Sequence, residues 1–223
     1  MGLFSKRFEQ EGAGRPMPET GPARFFALLF SQFWKLVGAN VLFLLFSLPI
    51  ITLPAALCAL NRVCISIWRR GFCYVWECFR EEFRASLLPS LPPALIFLLL
   101  LFFSYYSMSL GLTNAALPLW SMLFWVLGLM ALWTGFGWGT YFFVLRAMLA
   151  QKTPLLLKNA VLLCMAAPGR ALAIALICIA SLGAAALLFP LSLALLAFCM
   201  PALCQFAVCS LVYEQAEMYI EEA

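Results

Sequence analysis

The sequence between Arg84 and Arg146 is ASLLPSLPPALIFLLLLFFSYYSMSLGLTNAALPLWSMLFWVLGLMALWTGFGWGTYFFVL (residues 85–145), and none of these 61 residues is charged. A helix that crosses a bilayer needs about 20 mostly apolar residues, so this run is long enough for two. Turn chemistry lies near its middle, at Gly111-Leu112-Thr113-Asn114 and at Pro118. The run therefore predicts two spans, at roughly 90–111 and 116–147, joined by a turn.

The composition of the whole chain is that of an integral membrane protein. Hydrophobic residues make up 65% of the 223 residues and charged residues 11%, against roughly 45–50% and 25% in soluble domains. A soluble fold would need more polar surface to cover its core, and disorder requires low hydrophobicity with high charge. We therefore predict an all-α, polytopic transmembrane helix bundle whose first partner is the lipid bilayer.

The residue types that are missing exclude several kinds of chemistry. The sequence has no His, and all ten acidic residues are Glu. Without His or Asp the chain cannot build a His-ligated zinc site, a Ser-His-Asp triad or a His proton relay. Its net charge of +4 is too small and too dispersed to indicate nucleic acid as a partner. We therefore predict no catalytic residue, no metal and no cofactor, and a protein that is not an enzyme.

Two further apolar blocks provide the remaining spans. Residues 171–213 carry no charge, and Phe189-Pro190 is the predicted reversal of a hairpin of 170–189 with 191–213, Gly183 being an alternative. The N-terminal block, 25–68, is interrupted by two prolines, Pro49 and Pro54. It is either a hairpin of 31–49 with 51–68 or one long kinked span, since membrane helices tolerate proline. We favour the hairpin.

The basic residues give the orientation, because they concentrate on the cytoplasmic side. They precede the first span and occupy two connections, whereas the turns 48–54, 111–117 and 189–191 are uncharged. We predict six spans in three hairpins, with both termini on the cytoplasmic side of the cytoplasmic membrane. The expected division is a flexible cytoplasmic segment 1–22, a single transmembrane domain 23–213 and an acidic cytoplasmic tail 214–223.

The segment 72–87 has the pattern of an amphipathic elbow helix. Aromatic and aliphatic residues follow helical spacing on one face and charges mark another, which is typical of a helix lying in the membrane interface. Trp76, Arg80 and Arg84 are the candidates for docking a cytoplasmic partner; the alternative is a helix that merely anchors the connection. Shorter segments with one or two cations, 24–35 and 153–165, precede the other hairpins and are interpreted as related elbows.

Polar groups inside the predicted spans are the candidate functional residues, because their burial in a membrane is costly. Arg62 lies about two turns from its helix end, next to Asn61; it either reaches the interface or lines a polar interior site. Asn40 and Thr52 are candidates for the same interior, although lone polar residues more often form interhelical hydrogen bonds. Lys35, by contrast, is close enough to the cytoplasmic end to reach water.

The stretch Asn40-Val-Leu-Phe-Leu-Leu-Phe-Ser-Leu-Pro49-Ile-Ile-Thr52-Leu-Pro54, followed by small residues, resembles the signature of the YesL-like family of bacterial membrane proteins, which is defined by a domain of unknown function. The elbow around Trp76 and the triplet Lys158-Asn159-Ala160 are similar to that family's layout, whereas Leu53-Pro54 stands where many members have Gly.

Because members of the YesL-like family are often encoded beside carbohydrate transporters, the resemblance implies a non-enzymatic accessory or regulatory component of carbohydrate uptake. Its partners would be a transporter subunit or a second copy of the chain. The alternative is a small-solute transporter with an interior path near Asn61 and Arg62.

Overall fold

A computed structural model describes residues 21–113, 118–149, 151–187 and 199–221 of the chain. Within these ranges every regular element is a helix, which confirms the all-α prediction. The described part of the chain contains nine α-helices, in this order: α1 (Gly21–Ser31), α2 (Phe33–Ser47), α3 (Leu53–Arg70), α4 (Val75–Ser86), α5 (Leu91–Thr113), α6 (Pro118–Met148), α7 (Thr153–Ala166), α8 (Pro168–Leu187) and α9 (Met200–Glu221).

Three to five helical units in the described ranges are long and apolar enough to cross a membrane. Three are single stretches: Ile50–Arg70, which is α3 with the 3-10 turn before it, then α5 and α6. The other two are pairs, α1 with α2 bent by 75° and α7 with the first part of α8 bent by 103°. The prediction of a membrane protein agrees with this finding, and the arrangement of six spans as three hairpins stays a prediction.

The N-terminal apolar block folds as separate helices rather than as one kinked helix. The break falls at residues 48–52, where a 3-10 turn (Ile50–Thr52) separates α2 from α3. The hydroxyl of Thr52 lies 2.6 Å from the Phe46 carbonyl oxygen and 2.7 Å from that of Pro49, so it closes this turn. The elbow segment predicted over 24–35 is not a single helix, because α1 and α2 meet at Gln32 with a 75° bend.

Helix α3 lies at the centre of the molecule and contacts α2, α4, α6 and α9. Two thirds of its residues are buried, because small side chains such as Ala55, Ala56 and Ala59 let neighbouring helices approach. The helix ends at Gly71, whose φ of 70° is a left-handed conformation that glycine adopts at little cost. Polar residues of α3 are thereby fixed against several other helices.

Helices α5 and α6 pack along each other through glycine and serine. A Cβ on Gly128 would lie 2.7 Å from Cγ of Met108 and one on Gly139 would lie 3.2 Å from the Phe97 ring. Between the two backbones, Ser104 Oγ donates to the Gly128 carbonyl at 2.7 Å. α6 stays one continuous helix through Gly135–Gly139, so these glycines serve close packing.

The amphipathic segment 72–87 forms the helix α4, which begins three residues later than predicted and packs against α3. Phe79 is buried, its ring lies 5.6 Å from that of Phe46 on α2, and Phe83 is partly buried beside it. Trp76, about one turn before Phe79, is exposed. The orientation of α4 relative to a membrane interface stays a prediction.

The C-terminal elements agree with the sequence prediction in part. α7 begins at Thr153-Pro154 and ends before Pro168, as its cap and breaker residues indicate. α8 continues through Gly183, so Gly183 is not a reversal. The alternative reversal, Phe189-Pro190, lies outside the described residues, as does most of the N-terminal segment 1–22. The acidic residues Glu214 to Glu221 continue α9 as helix.

Candidate functional site

A cavity of about 350 Å³ lies where the C-terminal parts of α3, α6 and α9 come together. α6 contributes Met148 and the following Leu149, and α9 contributes Tyr213 and Glu217. α3 supplies most of the polar wall: Arg62, Ser66, Arg69 and Arg70. The C-terminal parts of three helices therefore line one arginine-rich cavity.

Arg62 is half-buried and held in place at this cavity. Its Nη1 donates a 2.8 Å hydrogen bond to the carbonyl oxygen of Ala147, in the last turn of α6. The carbonyls of a last helical turn lack partners within the helix and carry partial negative charge, so a guanidinium there is favourable. The candidate residue Arg62 thus makes one structural hydrogen bond, to Ala147, and also lines the cavity.

Arg69 and Arg70 were not among the candidates from sequence, which assigned them to a cytoplasmic connection. They are exposed at the last turn of α3. The sequence held a usable signal, because positions 69 and 70 both follow 66 by three or four residues, as 66 follows 62, and all four therefore lie towards one side of the helix. The prediction placed each arginine relative to the ends of its span and did not compare their positions around the helix.

A single carboxylate borders the cavity. Tyr213 donates from its hydroxyl to Glu217 Oε1 at 3.3 Å. Within the described ranges, neither Glu217 nor any other acidic residue is within the 4 Å of an ion pair with Arg62, Arg69 or Arg70. The cavity wall therefore holds three guanidinium groups and one carboxylate.

Asn61 does not share the cavity of its neighbour Arg62. Its side chain is fully buried, and Cys209 Sγ on α9 donates to Asn61 Oδ1 at 3.5 Å. Asn61 Nδ2 is buried without a hydrogen-bond partner among the described residues. The adjacent residues point to different surroundings because consecutive helical positions lie about 100° apart.

Asn40 and Thr52 form structural hydrogen bonds at helix ends. The buried Asn40 accepts at Oδ1 from the backbone N–H of Ala202 at 3.2 Å, in the first turn of α9, where such donors lack helical partners. Thr52 closes the turn between α2 and α3. The four residues predicted to share one interior site therefore lie in four different places and have different hydrogen-bond partners.

A buried polar network between α6, α7 and α9 was not predicted. Gln215 is fully buried; its Oε1 accepts from the Tyr141 hydroxyl at 2.6 Å, and its Nε2 donates to the Leu163 carbonyl at 2.7 Å. The carbonyl oxygen and the amino group of the Gln215 side chain therefore both have hydrogen-bond partners. Gln215 lies in the segment 214–223, and composition alone gave it the appearance of a solvated terminus.

The outer face of α4 carries the predicted docking residues, and all three are exposed: Trp76, Arg80 and Arg84. With Glu77 and Glu81 they line a shallow depression of about 250 Å³. Just before this helix Cys73 is buried, and burial together with a hydrogen bond to Cys78 raises the pKa of its thiol to about 12. Cys73 is accordingly an uncharged packing residue.

No metal centre is evident in the described ranges, where no group of three His, Cys, Asp or Glu side chains is placed to hold an ion. The described structure defines an all-helical protein with three to five helices capable of crossing a membrane. Comparison with protein-family models, with curated proteins and with solved structures finds no match to this chain.

Proposed function

We propose that the chain is a six-span protein of a bacterial cytoplasmic membrane, with both termini on the cytoplasmic side. The C-terminal parts of α3, α6 and α9 lie together, which supports this topology. These helices correspond to the second, fourth and sixth predicted spans, and the even-numbered spans of such a topology all run towards the cytoplasm. The three arginines at that end agree with the preference of basic residues for the cytoplasmic side.

A reporter enzyme that is active only outside the cytoplasm tests the topology. It should be active when inserted in the turns 48–54 or 111–117 and inactive when inserted at 151–152. Activity at 151–152 would overturn the proposed topology.

The role we propose is that of a non-enzymatic accessory protein of a carbohydrate uptake system, and we propose membership of the YesL-like family as its basis. The observation that carries the docking role is the outer face of α4, where Trp76, Arg80 and Arg84 are exposed although α4 itself is firmly packed. Its mixed charges suit a cytoplasmic transporter subunit with alternating acidic and basic residues.

Affinity purification from gently solubilised membranes tests this role. The intact protein should recover a transporter subunit, and the double reversal R80E with R84E should lose most of it. The matched reversal K152E with K158E makes the same change in charge on exposed residues elsewhere and should retain it. Recovery that is equal for both variants, or that never includes a transporter component, contradicts the proposal.

A second candidate function is small-solute transport, favoured by the cavity at Arg62. In this version Arg62→Leu abolishes uptake into vesicles while the protein still folds. Asn61→Leu tests whether Asn61 belongs to the solute site together with Arg62. Asn61 faces Cys209 instead of the cavity, so this substitution should leave uptake intact. Unchanged uptake by the Arg62 variant removes this candidate.

A further inference from the structure

The arginine cavity has the donors and the charge of an anion site. Arg62, Ser66, Arg69 and Arg70 project from one face of α3, and Tyr213 faces them from α9. An arginine guanidinium offers N–H donors in a fixed fork that matches phosphate and carboxylate oxygens. Several such forks converging on one space favour phosphate, which presents more acceptor oxygens than carboxylate does.

Among the described residues, the positive and negative charges of the cavity wall are unequal. Three guanidinium groups face one carboxylate, and that carboxylate accepts from Tyr213 rather than pairing with an arginine in the described part of the chain. Arg62 and Arg69 lie about two turns apart on one face of α3 and Arg70 follows Arg69, so three like charges repel one another across the cavity. An anion between them removes this repulsion, so its binding is favoured by the way α3 is built.

The geometry also indicates preorganisation. Arg62 is fixed by its 2.8 Å bond to the Ala147 carbonyl, so less side-chain freedom is lost when it receives a ligand. The cavity of about 350 Å³ is at the small end of ligand pockets. It admits a phosphate group with a small substituent.

We infer that this cavity binds a phosphate group, carried either by the headgroup of an anionic phospholipid or by a free phosphate solute. Arg62 is the fixed donor, and Arg69 with Arg70 supplies the mobile donors at the open side. This inference concerns the purified chain alone and does not rest on the accessory role, so the two fail independently.

Calorimetric titration of the full chain in a neutral detergent tests the inference. The probes are sodium phosphate, dioctanoyl phosphatidylglycerol and, as the zwitterionic control, dioctanoyl phosphatidylcholine. The double variant R69Q with R70Q should weaken binding at least about tenfold, because hydrogen bonds to charged groups are lost. The matched variant K152Q with K158Q removes two cations elsewhere and should bind as the unaltered chain does.

Each result has a defined meaning. Binding of phosphatidylglycerol alone identifies a lipid headgroup as the source, and binding of inorganic phosphate identifies a solute; both support the site. The R69Q with R70Q variant changes exposed side chains, so loss of folding does not obscure its result. Absence of binding by both anionic probes, equal binding of phosphatidylcholine, or equal weakening by the lysine variant overturns the inference.

Discussion

Helix α3 and the pair α5–α6 have similar hydropathy but different surroundings. Mean hydropathy over their most apolar windows is 1.8 for α3 with its preceding turn, 2.0 for α5 and 1.6 for α6. The protein itself buries 61% of the α3 window but only 22% and 11% of the other two. Hydropathy therefore reports that a helix avoids water, and the fold decides whether other helices or lipid cover it.

The two regions are also held together differently. Around α3, polar side chains bind helix ends: Asn40 meets the start of α9, Arg24 Nη2 donates to the Trp68 carbonyl at 2.6 Å, and Arg62 meets the end of α6. Between α5 and α6, glycines permit contact and serines bond to backbone carbonyls along the helices. The first region depends on a few specific bonds, the second on continuous close packing.

The largest expected effect concerns shielding in the α3 region. Because the pKa of Cys73 is raised from 9.0 to about 12, about a thousandfold less reactive thiolate is present at pH 8. Alkylation of Cys73, followed by mass spectrometry, should be slower by this factor in the folded chain and should rise steadily towards pH 12. The unfolded chain is the control, and equal rates in both states would contradict the packing of α4 on α3.

The α5–α6 contact should respond most to added volume. Gly128→Leu inserts a side chain where even a Cβ would lie 2.7 Å from Met108, and it should cost about 3 kcal/mol of unfolding free energy. Gly183→Leu is the matched control, since a Cβ there meets nothing within 4 Å. Denaturant titration in micelles measures both variants. Equal stability would mean that the glycines do not determine this contact.

Removing a single polar atom should destabilise the bundle around α3 more moderately. Tyr141→Phe leaves the buried Gln215 Oε1 without its 2.6 Å donor and should cost about 1–2 kcal/mol. Tyr105→Phe loses an equivalent hydroxyl from an exposed position and should be neutral. The same titration distinguishes them, and a neutral Tyr141 variant would show that the network contributes no net stability.

The smallest effect belongs to a serine between α5 and α6. Ser104→Ala removes the 2.7 Å bond to the Gly128 carbonyl and should cost about 0.6 kcal/mol, an average value for such bonds in membranes. Ser109→Ala is its control, because that hydroxyl bonds within α5 to Tyr106. A cost above 2 kcal/mol would place this pair with the bond-dependent region and remove the contrast.

Local features of the fold could be predicted from sequence because their causes are local. Proline interrupts the block 25–68 between α2 and α3, helical spacing of aromatic residues sets α4, and Thr153-Pro154 begins α7. The bend at Gln32 was not predicted, because no Pro or Gly marks it.

Contacts between distant residues could not be predicted in the same way. Tyr141 and Gln215 are 74 positions apart, and no periodicity within either segment refers to the other. Arg62 was selected as a candidate because burial of a charge is costly, but its partner, the Ala147 carbonyl, is a backbone group that every residue carries. The sequence thus indicates which groups need a partner and leaves the partner to the fold.

The bond from Asn40 to Ala202 has a consequence for biosynthesis. The two residues are 162 positions apart, and at 5–20 residues per second a ribosome needs roughly 8 to 32 s to travel between them. Throughout that interval this hydrogen bond cannot form, because the first turn of α9 has not been synthesised. α9 is the last of the described helices to be synthesised. A chain whose synthesis stops before α9 would lack its contacts with α2 and α3 and would be exposed to cellular quality control.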